Sequence, residues 1–156
     1  MQLKAGDKAP DFSNPDADMN LVSLSQFKGK RNLVLYFYLR DDTPGCTAEG
    51  IEFSELEKEF EDLRTVVLGV SRDDCITHGA FRDKHGITVR LLADKDNETC
   101  EKYGVLQDKE IDGVMRHSMV RSSFIIDKQG IIRHALYGVQ SRGHAEEILQ
   151  LVKDLK

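Results

Sequence analysis

Residues 32–47 read NLVLYFYLRDDTPGCT and join a strand pattern to the start of a helix pattern. The first part, NLVLYFY (32–38), is a continuous apolar and aromatic run, which is typical of a strand buried on both faces. From about Cys46 to Leu63, apolar residues recur at steps of three and four, and this period predicts a helix. The apolar residues of that period are Phe53, Leu56, Phe60 and Leu63. A buried strand that leads directly into an amphipathic helix indicates an α/β fold.

The remaining sequence continues the alternation of strands and helices. Short strands and loops are predicted over 6–30, strands at 65–71 and 89–94, helices at 76–85, 97–104 and from 145 onward, and a hairpin over 122–138. The last helix has one apolar face, formed by Ala145, Ile148, Leu149, Val152 and Leu155. We therefore predict a single α/β domain over residues 1–156, with a central mixed sheet flanked by helices. This order of elements suits a thioredoxin-like fold.

The composition excludes several classes of protein. A content of 40% hydrophobic and 31% charged residues indicates a globular chain rather than a disordered one. The net charge of -5 argues against a nucleic-acid partner, and no apolar run approaches the roughly 20 residues of a membrane span. The first ten residues have no apolar core that could act as a secretory signal. We expect a cytoplasmic protein, with no membrane partner, that is a monomer or a weak homodimer.

The three cysteines, Cys46, Cys75 and Cys100, are widely spaced and odd in number. The sequence contains no CxxC motif and no cysteine and histidine cluster with zinc-ligand spacing. A disulfide framework is therefore unexpected, and we expect neither a metal nor another cofactor. The histidines have no paired metal spacing, and we expect them at the surface or in supporting roles. If cysteine matters in this chain, it should act one residue at a time.

Cys46 lies in the first turn of the predicted helix. The first backbone N–H groups of a helix have no intrahelical partner and the helix dipole adds partial positive charge, so this position favours a thiolate. Pro44 and Gly45 suit the bend between the strand and the helix. Because Cys46 precedes Phe53 by seven residues, both side chains should face the core, with the sulfur in a shallow pocket. The alternative is an inert cysteine, since free cysteine is among the most buried residue types.

Arg121 and Thr43 are the other candidates for this site. Arg121 stands at the head of the apolar run RSSFIID (121–127), where a guanidinium is costly unless it faces an anion or a polar site. It could equally reach solvent or a surface carboxylate. Thr43 could be the helix cap, or it could direct its hydroxyl at whatever the thiolate attacks.

The motifs YFYLRDDTPGCTAEG (36–50), GDKAPDF (6–12) and RSSFIIDKQG (121–130) together resemble a peroxiredoxin. The similarity extends over nearly the whole chain and is strongest to the Q-type branch, also called bacterioferritin comigratory protein. It implies a thioredoxin-like peroxiredoxin fold. It also implies reduction of hydrogen peroxide and alkyl hydroperoxides by a cysteine thiolate, followed by reduction of the resulting sulfenic acid by thioredoxin or another thiol.

The resemblance also implies roles for single residues. Cys46 matches the peroxidatic cysteine, and Thr43 the hydroxyl that orients the peroxide. Arg121 matches the arginine that stabilises the thiolate and the oxygen under attack. Glu49 occupies a place where the family often has a carboxylate that holds this arginine.

The chain departs from the family pattern in two places. Leu39 stands where family members usually have a proline beside the active cysteine, which affects the shape of the pocket, although leucine still supplies apolar cover. The resolving cysteine that many Q-type members have five residues after the peroxidatic one is replaced by Ile51, and the position used by others lies near Arg82. Cys75 could resolve the sulfenic acid if local unwinding brought it to Cys46, but a spare cysteine is the simpler interpretation. Cys100 is expected in the core. We favour a one-cysteine mechanism with an external thiol.

Three other functions are alternatives to a thiol peroxidase. A thioredoxin-type disulfide oxidoreductase is disfavoured because Thr43 replaces the first cysteine of a CxxC motif. A glutathione peroxidase-like enzyme is disfavoured because the chain has no tryptophan. A peroxide sensor would use the same oxidation of Cys46 as a signal, and would react once and then stop.

Overall fold

The structure is a computed structural model that describes residues 2–155, with the backbone alone for Lys109, Ile111, Arg116 and His117. Its strands are β1 (Ser13–Pro15), β2 (Leu21–Ser23), β3 (Asn32–Phe37), β4 (Thr65–Ser71), β5 (Arg90–Ala93), β6 (Leu106–Ile111), β7 (Val114–Met119), β8 (Ser122–Ile126) and β9 (Ile132–Tyr137). Its helices are α1 (Pro44–Asp62), α2 (Cys75–His85), α3 (Glu98–Lys102) and α4 (His144–Lys153). The helices and the sheet strands predicted from the sequence are all present.

The central sheet has five strands in the order β5-β4-β3-β8-β9. Strands β3, β4 and β5 run parallel, whereas β8 is antiparallel to β3 and to β9. The predicted mixed sheet is therefore confirmed. Side chains of β3 alternate between two apolar cores, because successive residues of a strand point to opposite faces. Helices α1 and α4 cover one face, where Phe53 and Phe60 pack with Ile148 and Leu149.

A second hairpin, β6–β7, lies in a segment for which the sequence analysis predicts no element. Its two strands pair antiparallel from Leu106↔Met119 to Ile111↔Val114. Asp112 and Gly113 form the turn between them, and both have positive φ, of 53° and 79°. An Asp-Gly pair with this backbone is a common two-residue hairpin turn. The flanking strands are too polar for an apolar alternation to mark them.

The parallel strands bring their carboxyl ends to one edge of the sheet, where ligand sites concentrate in open α/β sheets. At this edge the chain leaves β3 at Tyr38, turns through residues 39–43 and enters α1 at Pro44. The backbone N–H of Tyr38 donates to the carbonyl of Val70, which keeps the end of β3 paired with β4. Among the helices that the structure describes, none is long and apolar enough to cross a membrane.

Candidate active site

Cys46 lies in the first turn of α1, as predicted, with Pro44 as the first helical residue. Its side chain is 2% exposed and belongs to the same apolar core as Phe53. The expectation that both residues face the core is therefore confirmed. The sulfur is buried next to backbone N–H groups that a helix start leaves without intrahelical partners.

Arg121 joins Cys46 to Glu49. Its Nη2 donates to Cys46 Sγ over 3.3 Å, and its Nη1 donates to Glu49 Oε1 over 2.6 Å. The guanidinium is 15% exposed and the Glu49 side chain is 0% exposed. The sequence left open whether the guanidinium faces an anion or polar site, or instead reaches solvent or a surface carboxylate. In the structure it faces a potential anion, the sulfur of Cys46, and a buried carboxyl. A hydrogen bond with an ionised partner, here the guanidinium, is stronger than one between neutral groups.

Glu49 has an electrostatic environment that the sequence did not predict. Burial raises the pKa of its carboxyl from 4.5 to about 8, although the charge and the hydrogen bond of Arg121 act in the opposite direction. Its second oxygen, Oε2, is buried and has no hydrogen-bond partner among the described residues. An ionised carboxylate with one oxygen neither solvated nor bonded is costly, which explains the direction of the shift.

Gly45 allows Arg121 to approach the helix start closely. A Cβ at this position would lie 3.3 Å from Arg121 Nη2 and 3.1 Å from the Oγ of Ser141. Both contacts are tighter than ordinary van der Waals distances, so any larger residue would press on the guanidinium. The sequence predicts only the bend at Gly45 and does not mark Ser141, because their proximity arises from the fold and not from sequence spacing.

Thr43 occupies the N-cap position of α1 but makes no side-chain capping bond. Its hydroxyl instead donates to the carbonyl of Arg40 over 3.0 Å. A hydroxyl oxygen whose proton is used in this way can still accept a hydrogen bond. As placed, Thr43 could therefore accept a hydrogen bond from a ligand in the adjoining cavity.

A cavity of about 810 Å³ lies at the start of α1, and Arg121, Gly45 and Thr43 form part of its wall. The other residues that line it are Leu39, Arg40, Arg72, Val114, Met115, Ser118 and Met119. Leu39 is 46% exposed at this wall, so it contributes apolar surface where the resemblance leads one to expect a proline. The lining is apolar and cationic, and no sequence pattern predicts that β7 contributes to it.

Cys75 and Cys100 lie elsewhere. Cys75 is the first residue of α2 and is partly exposed, and burial together with Asp16 and Asp74 raises the pKa of its thiol. Cys100 is fully buried, as expected, and burial and Asp94 raise the pKa of its thiol. All three cysteines are free. The environments of Cys75 and Cys100 thus disfavour a thiolate, in contrast to the cationic contact at Cys46.

A buried polar network that the sequence analysis missed lies behind the loop formed by residues 39–43. The carboxylate of Asp41 accepts from the hydroxyl of Tyr38 over 2.6 Å and lies 2.6 Å from His78 Nδ1. His78 is 0% exposed, rather than at the surface. Potential metal-ligand atoms of Asp41, Asp73 and His78 lie within 4.8 Å of one another, but protein hydrogen bonds engage each residue of this group. The group is therefore held together without an ion.

Comparison with known proteins places this geometry in a family context. A model of the AhpC/TSA family matches residues 5–135. A putative peroxiredoxin bcp of Coxiella burnetii is 39% identical over 149 residues, which cover 96% of this chain and 98% of that protein.

Solved structures agree with the sequence comparison. A variant of Xanthomonas campestris peroxiredoxin Q has a TM-score of 0.91 at 32% identity, over 97% of this chain and 98% of that chain. The bacterioferritin comigratory protein of Xanthomonas campestris, whose alkyl peroxide reduction activity was studied with trapped complexes, has a TM-score of 0.88 at 32% identity, over 91% of this chain and 90% of that chain. The predicted thioredoxin-like peroxiredoxin fold is confirmed.

Proposed function

The chain belongs to the AhpC/TSA family and is homologous to its Bcp and peroxiredoxin Q members, and from this premise we propose that it is a thiol peroxidase that uses Cys46. The observation that carries the proposal is the 3.3 Å contact from Arg121 Nη2 to a buried sulfur at a helix start. We propose hydrogen peroxide and alkyl hydroperoxides as substrates, reduced by a single domain in the cytoplasm.

The proposed chemistry needs only side chains and an external thiol. The thiolate of Cys46 attacks the terminal peroxide oxygen, a sulfur–oxygen bond forms, and the oxygen–oxygen bond breaks. The products are a sulfenic acid and a hydroxide or alkoxide, which takes a proton from solvent. Arg121 and the N–H groups at the start of α1 stabilise the negative charge that develops on the leaving oxygen. Thr43 orients the peroxide by accepting a hydrogen bond from its hydroxyl.

The second half of the proposed cycle regenerates the thiolate. A reductant thiol attacks the sulfenic sulfur, which releases water and leaves a mixed disulfide. A second thiol then displaces Cys46. Thioredoxin or a small thiol in the reducing cytoplasm could supply both equivalents.

A rapid-mixing experiment tests this proposal. Reduced protein is mixed with stoichiometric hydrogen peroxide, and the products are analysed by intact mass and by chemical trapping of sulfenic acid, with Cys46→Ser beside the wild type. Fast formation of a trappable acid that is absent from Cys46→Ser supports the peroxidase. Oxidation no faster than that of free cysteine contradicts it. If the protein oxidises once and does not turn over with added thiol, it is a sensor.

Cys75→Ser is expected to keep the multiple-turnover rate with an external thiol within about twofold of wild type. The reason is that burial and two neighbouring carboxylates raise the pKa of the Cys75 thiol, which makes it a poor nucleophile toward the sulfenic acid. Peroxide consumption over many turnovers measures the effect, with Cys100→Ala as the matched control. Loss of turnover in Cys75→Ser, while Cys46 still reacts once, would identify Cys75 as the resolving residue.

Leu39→Pro is expected to change the rate of Cys46 oxidation by less than about threefold. Leu39 already gives the cavity apolar cover. Tyr38, which would precede the new proline, directly follows β3, and the residue before a proline favours extended backbone. Single-turnover rates with hydrogen peroxide measure this, and thermal unfolding checks the fold. A rise of tenfold or more in this single-turnover rate would mean that Leu39 limits the reaction in the wild type.

A further inference from the structure

We propose that His78 is a positioning residue for the peroxide site, which acts through Asp41 on the loop of residues 39–43. The inference rests on the proposed peroxidase function. Leu39, Arg40 and Thr43 of this loop line the cavity. Asp41, between them, is buried with its side chain 1% exposed. The loop therefore presents three residues to the cavity and the side chain of Asp41 to the protein interior.

The network fixes Asp41 at both its side chain and its backbone. Oδ1 accepts from the Tyr38 hydroxyl over 2.6 Å, and Oδ2 lies 2.6 Å from His78 Nδ1. The backbone N–H of Asp41 donates to Asp73 Oδ2 over 2.9 Å, and Ser71 Oγ donates to the same oxygen over 2.7 Å. A buried carboxylate with all of these bonds in place has one low-energy position. The residues on either side of Asp41 then have little freedom to move.

His78 connects this loop to the sheet. Its Nε2 lies 2.8 Å from the carbonyl of Leu92 in β5, and a carbonyl only accepts, so Nε2 carries a proton. Its Nδ1 faces Asp41 Oδ2 at 2.6 Å, so a shared proton lies between the imidazole and the carboxyl. The imidazole thus spans the distance from a rigid parallel strand to the loop that carries Thr43. A displacement of this ring would move the loop relative to Cys46, which α1 holds in place.

The outer side of the loop is attached more weakly to α2, the helix that also carries His78. Asp42 has a left-handed backbone with a φ of 63° and pairs with Lys84 Nζ and His85 Nε2, each over 2.8 Å. These groups are exposed or near the surface, where an ion pair contributes little. Lys84 therefore offers a matched control, because it contacts the same loop from the same helix without a buried bond.

Two substitutions of His78 separate positioning from mere packing. In His78→Asn, the side-chain amide nitrogen replaces Nδ1 and can still donate to Asp41. In His78→Gln, the amide nitrogen replaces Nε2 and keeps only the bond to Leu92. Each variant loses one hydrogen bond. We expect His78→Gln to lower the rate of Cys46 oxidation by hydrogen peroxide by about tenfold to a hundredfold, and His78→Asn and Lys84→Ala to stay within about threefold of wild type.

Alkylation of Cys46 by iodoacetamide supplies the second readout. This reaction depends on the thiolate and its access, and not on the orientation of a peroxide, so His78→Gln should change it by less than about threefold. Equal peroxide rates in the two His78 variants, or parallel losses in both reactions, would overturn the inference. If either His78 variant fails to fold, Tyr38→Phe supplies the test. We expect it to lower the rate of Cys46 oxidation by about fivefold, and an unchanged rate would overturn the inference. The proposed function has a separate test, because slow oxidation of Cys46 in the wild type would contradict it whatever the His78 variants do.

Discussion

Replacement of Arg121 by glutamine is expected to slow the oxidation of Cys46 by hydrogen peroxide by about 10²–10³-fold. Arg121 is the cation in hydrogen-bond contact with the sulfur, at 3.3 Å from Nη2, and it lies at the cavity where the leaving oxygen would form. In the proposed reaction, its loss removes a positive charge beside the sulfur and the leaving oxygen. Single-turnover oxidation with stoichiometric peroxide measures the loss directly, because no reductant enters the rate.

Two further substitutions define what Arg121 does. Arg121→Lys keeps a positive charge but cannot make the forked contacts to Cys46 and Glu49 at once, so we expect a rate between those of wild type and Arg121→Gln. Arg72→Gln is the matched control, since Arg72 also lines the cavity. If Arg121→Gln oxidises as fast as wild type, the contact to the sulfur is only structural. If Arg72→Gln loses as much rate as Arg121→Gln, the general positive charge of the cavity matters instead of that contact.

The part of the site that the sequence predicts is the part encoded by local patterns. The apolar run of β3 and the apolar period of α1 fix the strand, the bend and the first turn that holds Cys46. The apolar run that follows Arg121 marks that residue as a candidate, and the resemblance to peroxiredoxins adds Glu49. In the structure Arg121 contacts both Cys46 and Glu49. Their roles in the reaction are proposals that the variants above test.

The parts that the sequence does not predict depend on contacts between distant segments. Asp41 and His78 are ordinary polar residues by composition, and only the packing of α2 against the end of β3 makes their burial and pairing possible. The hairpin β6–β7 lacks an apolar alternation because it is not part of the central sheet, although its Asp-Gly turn could have marked it. The pKa of Glu49 likewise follows from burial, which no local pattern records.

Glu49→Gln is expected to gain stability relative to wild type as the pH rises from 4.5 to 8. Burial raises the pKa of the Glu49 carboxyl to about 8 in the folded state from an ordinary value of 4.5. Between these values the folded protein binds the proton more tightly than the unfolded chain does. The contribution of the carboxyl is therefore fully present below pH 4.5 and is lost as the pH rises toward 8, by up to about 5 kcal/mol of unfolding free energy. Glutamine keeps an acceptor for Arg121 and does not titrate.

Urea unfolding of both proteins at several pH values measures this difference, because other titrating groups cancel between wild type and variant. Glu55→Gln is the matched control, since it removes an exposed carboxylate from the same helix. A difference that is flat with pH, or that falls, would mean that Arg121 keeps Glu49 ionised at neutral pH. With Glu49 protonated below pH 8, a negative sulfur at Cys46 in the proposed reaction would face Arg121 without the charge of Glu49 beside it.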